Sequence, residues 1–162
     1  MKSLWTLLTQ SLQLPKKQAV FTLNRIGMDT VVFYLFILIA LSSIPAYIEQ
    51  LQQNERLSIF FFTIFFFIFH YLVITIVIFV VLSILSCVAT IIAKLAKRKL
   101  RYSILWKMTA STTTIPFILY TIVSFFRDLD ALFLLLAIAF MFVILTKIIF
   151  IYPARRHSVT NR

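Results

Sequence analysis

The chain has 162 residues, 62% of them hydrophobic and 16% aromatic, with a formal net charge of +11 and a mean hydropathy of +1.01. A soluble domain of this length has too little interior to hold that much apolar surface, so an integral membrane protein is implied. In a soluble protein the charge would point to nucleic acid; here the cations fall into clusters flanking apolar runs, which argues against a nucleic-acid partner.

The N-terminal segment, residues 1–29, reads as cytoplasmic. Leu4, Trp5, Leu7, Leu8 and Leu12 recur at helical spacing with Thr and Gln opposite, Pro15 ends the stretch, and Lys16 and Lys17 follow. A short amphipathic helix carrying a Trp beside paired lysines suits the headgroup boundary of an inner leaflet; the other reading packs it against the protein's own cytoplasmic loops. A polar stretch reaches to Asp29 before the first long apolar run, which does not fit a cleavable signal peptide.

The first span is expected at about 30–48, closed by Glu49. Pro45 deprives the Leu41 carbonyl of its helical donor, and Ser42 and Ser43 stand ready to satisfy freed backbone, so a kink is expected near the outer end. Glu49–Arg56 reads as a short polar connection. From Leu57 to Ala93 no charge appears, about 55 Å of helix at ~1.5 Å per residue. That length invites two passes, but no Gly, Pro or polar turn interrupts it where a hairpin could form in lipid. A single pass also puts the basic loop Lys94–Lys107 on the side of Lys2, Lys16, Lys17 and Arg25. One long tilted helix over 57–93 is expected, projecting outward at its Phe-rich start. Cys87, the only cysteine, excludes an internal disulfide and reads as a small buried hydrophobe.

A third span is expected at about 108–126, rich in hydroxyls and broken in its bonding by Pro116, with a small-residue face from Ala110 through Ser124. Arg127, Asp128 and Asp130 form a tight outer turn. A fourth span covers about 131–152, with Lys147 snorkelling to the inner interface, and the basic tail 153–162 follows. The expected fold is therefore all-α, a polytopic membrane protein with a four-helix transmembrane domain over 30–152 and an N-terminal amphipathic interfacial helix. Both termini are cytoplasmic in a bacterial plasma membrane. In that arrangement Arg56 and Arg127 are the only cations outside and Asp29 the only acid inside.

Two segments carry a family likeness. Ser11–Pro45 (SLQLPKKQAVFTLNRIGMDTVVFYLFILIALSSIP) has a Pro-Lys pair after an amphipathic lead and a first span ending near Pro. Tyr102–Ile122 (YSILWKMTASTTTIPFILYTI) has a Tyr, Leu-Trp-Lys, Thr-x-Pro order. Together they resemble the DUF1189 family of small Firmicute membrane proteins. The resemblance implies a Gram-positive cell membrane. Some members carry the label of a maltodextrin-utilisation protein, implying a link to sugar uptake. Members usually carry a sizeable extracytoplasmic insert between spans one and two, where this chain has only Glu49–Arg56 and the Phe-rich stretch.

Three groups are candidate sites. Thr109, Thr112, Thr113, Thr114 and Pro116 either line a polar cavity that binds a headgroup or small solute, or bond their own backbone in a kinked helix. Trp5, Lys16, Lys17, Lys97, Arg98, Lys99, Arg101 and Trp106 could grip anionic lipid at the cytoplasmic face or dock a partner, or serve orientation alone. Phe60, Phe61, Phe62 and His70 could form an outer partner surface. His70 is a candidate ligand or proton carrier, but no Asp or Glu lies in a span core to partner it. No paired carboxylates, HExxH or Gly-rich phosphate loop appears, and no metal or cofactor site is expected. The resulting expectation is a non-enzymatic accessory subunit bound to another membrane complex through protein–protein interaction. The alternative is a small homo-oligomeric transporter or lipid-handling protein, and an immunity or stress protein shielding a membrane component is a third.

Overall fold

In a computed structural model, residues 2–53, 58–98, 100–126 and 131–153 are described. Glycine is nearly absent, and prolines stand only where helices begin or end, so helix follows helix. The order is α1 (Lys2–Leu12), α2 (Lys17–Arg25), α3 (Met28–Ser42), α4 (Ile44–Gln53), α5 (Ile59–Phe66), a π-helical turn (Phe67–Tyr71), α6 (Leu72–Leu95), α7 (Tyr102–Thr112), α8 (Thr114–Ser124) and α9 (Ala131–Ile151). Among the described residues, three stretches are long and apolar enough to cross a membrane: Met28–Gln52, Ile59–Leu95 and Leu132–Ile151.

The first of these joins α3 to α4 with a break at Ser43, two residues before Pro45. The hydroxyls act as expected. Ser42 Oγ donates to the Leu38 carbonyl at 2.7 Å and Ser43 Oγ to that of Ile39 at 2.9 Å. Contrary to expectation, Glu49 does not open a polar loop: α4 continues to Gln53, because after Pro45 no residue breaks the helix. Residues 54–57, with Glu55 and Arg56, lie outside the described residues, as do Lys99, the turn of Arg127, Asp128 and Asp130, and the tail from 154.

The second stretch is one unbroken helix of 37 residues, as the missing turn signals implied. Its π-helical turn contains His70, and periodicity gave no sign of it. The third expected span is not a single helix. It divides at Thr113 into α7 and α8, and Pro116 occupies the first turn of α8, where its missing N–H costs least.

Helix α2 was not anticipated. Its Ala19, Val20 and Leu23 share one buried face, a short amphipathic pattern overlooked beside the lysines that precede it. Helix α1 lays Leu7 and Ser11 against the bundle, touching α2, α3, α7 and α8, and leaves Trp5 outward.

The main buried cluster gathers Leu7, Leu23, Leu35, Leu82, Leu105, Met108, Leu145 and Ile148, among others, around α7. From Leu105 to Thr114 every residue is buried, more than two full turns, so no face of α7 beyond its first turn is left for lipid. It packs against α1, α2, α3, α6, α8 and α9. By contrast α5, the π-helical turn and the first half of α6 leave Phe60, Phe61, Phe65, Phe69, Ile76 and Val77 exposed. Cys87 is also exposed, not buried as its apolar setting suggested; on a lipid-facing helix an apolar run marks the outside.

Candidate functional site

Two sites emerge, one around α7 and one at the opposite end of the Ile59–Leu95 helix. Around α7 the hydroxyls turn mostly to their own backbone. Thr109 Oγ1 donates to the Leu105 carbonyl at 2.9 Å, Thr112 Oγ1 to Met108 at 2.8 Å and Thr113 Oγ1 to Ala110 at 2.6 Å. Two bonds cross between helices. Ser86 Oγ of α6 lies 3.0 Å from Thr109 Oγ1, and the Tyr34 hydroxyl of α3 lies 2.9 Å from Thr114 Oγ1. These pairs tie α3 and α6 to the two halves of the broken helix, the use membrane bundles make of buried hydroxyls. Ser11 stands close to Tyr34, yet its hydroxyl and that of Ser111 have no hydrogen-bond partner among the described residues.

The basic loop does not behave as a single cationic surface. Lys107 is only 8% exposed. Its Nζ donates to the carbonyls of Asn24 at 2.7 Å and Ile26 at 2.9 Å, where α2 ends and its backbone acceptors lack helical donors. Trp106, expected among the lipid or partner contacts, is buried instead. Its ring lies 5.8 Å from that of Phe79, and Nε1 reaches Ser83 Oγ at 3.4 Å. The correction follows from register: α7 begins at Tyr102, so Trp106 is already one turn inside the bundle.

Arg98 is also engaged. Its guanidinium donates to the Tyr152 carbonyl and lies 5.5 Å over the ring of Phe150, fastening the loop after α6 to the end of α9. Lys16, Lys17, Lys97 and Arg101 are exposed, as is Trp5. Lys99 lies outside the described residues.

At the other end, Phe60 and Phe61 are exposed at 68% and 69%, whereas Phe62 is buried. The reason is Tyr47 on α4, a residue the sequence did not single out. Its ring sits 5.6 Å from Phe62 and 5.0 Å from Phe66, and its hydroxyl lies 2.9 Å from Thr63 Oγ1. His70 is half-buried, stacked on Phe66 at 4.5 Å. One turn of π-helix displaces the residues that follow around the axis, and within it the Tyr71 hydroxyl donates to the Phe36 carbonyl at 3.0 Å. Phe60 and Phe61 therefore remain a surface pair, while Phe62 belongs to the α4–α5 contact and His70 stacks on Phe66 of its own helix.

Grooves open elsewhere. One of about 610 Å³ between α3 and α6 is lined by Phe36, Thr75, Phe79, Ser83 and Cys87, among others. A second of about 640 Å³ lies against α9. Neither is lined by the hydroxyls of Thr109–Thr114. Among the described residues no group of His, Cys, Asp and Glu is placed to hold a metal ion.

No curated protein and no solved structure matches the chain. A family model described as a protein of unknown function, DUF1189, matches residues 46–149. The match includes the whole Tyr102–Ile122 segment and everything from α5 to α8, and begins just after the Ser11–Pro45 segment. With most of its length so matched, this chain belongs to the DUF1189 family.

Proposed function

We propose that this protein is a non-enzymatic integral membrane subunit that associates with another membrane complex. The observation that carries the reading is the helix Ile59–Leu95. Its 37 residues make about 55 Å at ~1.5 Å per residue, against a hydrocarbon core of ~30 Å. The excess, at the phenylalanine-rich end, carries the exposed Phe60 and Phe61, apolar surface that a partner subunit would cover.

Four crossings go with this reading. Helices α7 and α8 follow one another over Tyr102–Ser124, long enough together to cross, and a polar span is tolerated when other helices screen it from lipid. The basic loop and both termini then share the cytoplasmic side of a bacterial plasma membrane, as the distribution of Lys and Arg favours. Helix α1, with Trp5 outward and Lys16 and Lys17 exposed, rests its free face at the inner interface, where anionic lipids attract the cations. The maltodextrin label borne by family members makes a sugar-uptake system the first complex to examine.

Extraction of the tagged protein from its native membrane in mild detergent tests the proposal. A stoichiometric companion polypeptide is expected. Recovery as a lone monomer would overturn the reading, and a symmetric homo-oligomer would favour a small transporter or lipid-handling protein instead. Topology is checked in a Cys87→Ser background. Arg101→Cys should be shielded from a membrane-impermeant thiol reagent added to intact cells, and Glu55→Cys should react.

A further inference from the structure

Between the turn at Pro15 and the last two turns of α9 runs a groove of about 640 Å³, lined by Pro15, Val143, Thr146, Lys147, Phe150 and Ile151. Its walls are apolar except at Thr146 and Lys147. Thr146 has its polar needs met locally, its hydroxyl lying 2.6 Å from the Phe142 carbonyl and 3.1 Å from that of Val143. Lys147 is exposed, one turn before α9 ends at Ile151. From there its stem can follow the apolar wall while the ammonium reaches the headgroup level.

Two further cations border the groove. Lys16 follows Pro15 in the chain and is exposed, and the Arg98 guanidinium lies over the Phe150 ring. The carboxylates among the described residues, Asp29 and Glu49, belong to α3 and α4, not to the elements that form the groove. Lys147 has no ion-pair partner there. A free acyl chain would use the wall and ignore the cations; a soluble anion would do the reverse. An amphiphile with an anionic head and a hydrocarbon tail uses both.

We propose that this groove binds one anionic phospholipid, its phosphate held between Lys147 and Lys16 and an acyl chain lying against Val143, Phe150 and Ile151. The inference requires that α9 cross a bilayer and is independent of any partner complex, so it can fail while the accessory-subunit reading stands, and the reverse.

The test places the full chain in nanodiscs of equal parts palmitoyl-oleoyl phosphatidylglycerol and phosphatidylcholine, then counts the lipid retained on the released protein by native mass spectrometry. One phosphatidylglycerol should be retained in preference to phosphatidylcholine. Lys147→Gln should lower that retention about fivefold, the share expected of one cation at an anionic surface, and Lys147→Arg should restore it. Val143→Trp fills the wall without altering charge and should lower retention as well. Arg25→Ala removes an exposed cation on α2 that does not line the groove and should change nothing.

Both Val143 and Lys147 are exposed, so these variants should keep the helical circular dichroism of the parent. Equal retention of the two lipids would overturn the proposal, as would equal losses in Arg25→Ala and Lys147→Gln, which would mean diffuse attraction. Unchanged retention in Val143→Trp would leave no role for the wall and sink it too. A copurified polypeptide that protects Lys147 from acylation in place of lipid would also refute it.

Discussion

Leu105–Thr114 and the stretch from Ile59 to Val77 are both helical, and each has the composition expected of the other's place in a water-soluble protein. The first carries Lys107, Thr109, Ser111, Thr112, Thr113 and Thr114, and all of it is buried. The second has Thr63, His70 and Thr75 as its main polar side chains among phenylalanines and aliphatics, and most of it is exposed. In water, burial of apolar surface selects the interior. In a bilayer the hydrocarbon accepts apolar side chains as readily as a protein core does, so helices associate through close packing and interhelical hydrogen bonds. Small and hydroxyl-bearing residues are therefore gathered where helices meet, and the greasiest segment lines the outside.

The sharpest test of this contrast is at Leu105, fully buried in the cluster around α7. Leu105→Ala should cost about 2–5 kcal/mol through lost contacts and the cavity left behind. The readout is reversible unfolding in mixed micelles. The same truncation at exposed Leu72 should cost much less. Equal costs would mean that α7 is not the packing centre.

Val77 stands midway along Ile59–Leu95 and is exposed. Val77→Lys puts an ammonium on a lipid-facing surface inside the hydrocarbon, outward of the midplane, where the cost approaches about 2.5–3.5 kcal/mol, the range insertion scales assign at the centre. Loss of membrane-integrated protein is the expected result. Full tolerance would show that this face is covered by protein or by water.

Lys107 should rank third. Lys107→Met keeps most of the stem and removes the donor from the Asn24 and Ile26 carbonyls. Two part-buried acceptors left without their charged partner should cost about 1–3 kcal/mol, and protease sensitivity near the α2–α3 junction should rise, as limited proteolysis can show. Tyr34→Phe removes a single hydroxyl contact with Thr114. About 0.6 kcal/mol is expected, the average for such bonds between membrane helices.

This ordering also explains what could be read from the sequence. An uncharged run without a turn signal can only be a helix in lipid, so Ile59–Leu95 was legible nearly to its ends. The α3–α4 break was legible too, because Pro45 and two serines state the local bonding problem and its solution together. The hydroxyl-rich stretch was placed correctly in order but misread as one unbroken helix. Hydropathy measures compatibility with lipid, and Leu105–Thr114 does not meet lipid.

The same reasoning accounts for the site residues. Lys107 looked like a member of a cationic loop because its partners are backbone carbonyls more than 80 positions away, and carbonyls leave no mark in a sequence. Trp106 was misplaced by the same one-turn uncertainty in where α7 begins. Tyr47, which separates buried Phe62 from exposed Phe60 and Phe61, lies across an interhelical contact that local spacing does not encode.

That separation sets up the smallest effect. The Phe60→Ala, Phe61→Ala double variant removes two rings that touch mainly each other, 5.9 Å apart, and leaves the Tyr47 contacts with Phe62 and Phe66 in place. Surface truncations of this kind fall within about 0.5 kcal/mol per site, so unfolding in micelles should scarcely change. Recovery of a companion in mild detergent should nonetheless drop sharply if these rings are covered by another subunit. Phe62→Ala should do the opposite, weakening the α4–α5 contact first and reducing companion recovery only through it. A double variant that destabilises the isolated chain as much as Phe62→Ala would mean that the phenylalanine-rich end is part of the protein's own packing, and the contrast with α7 would hold only for the middle of the helix.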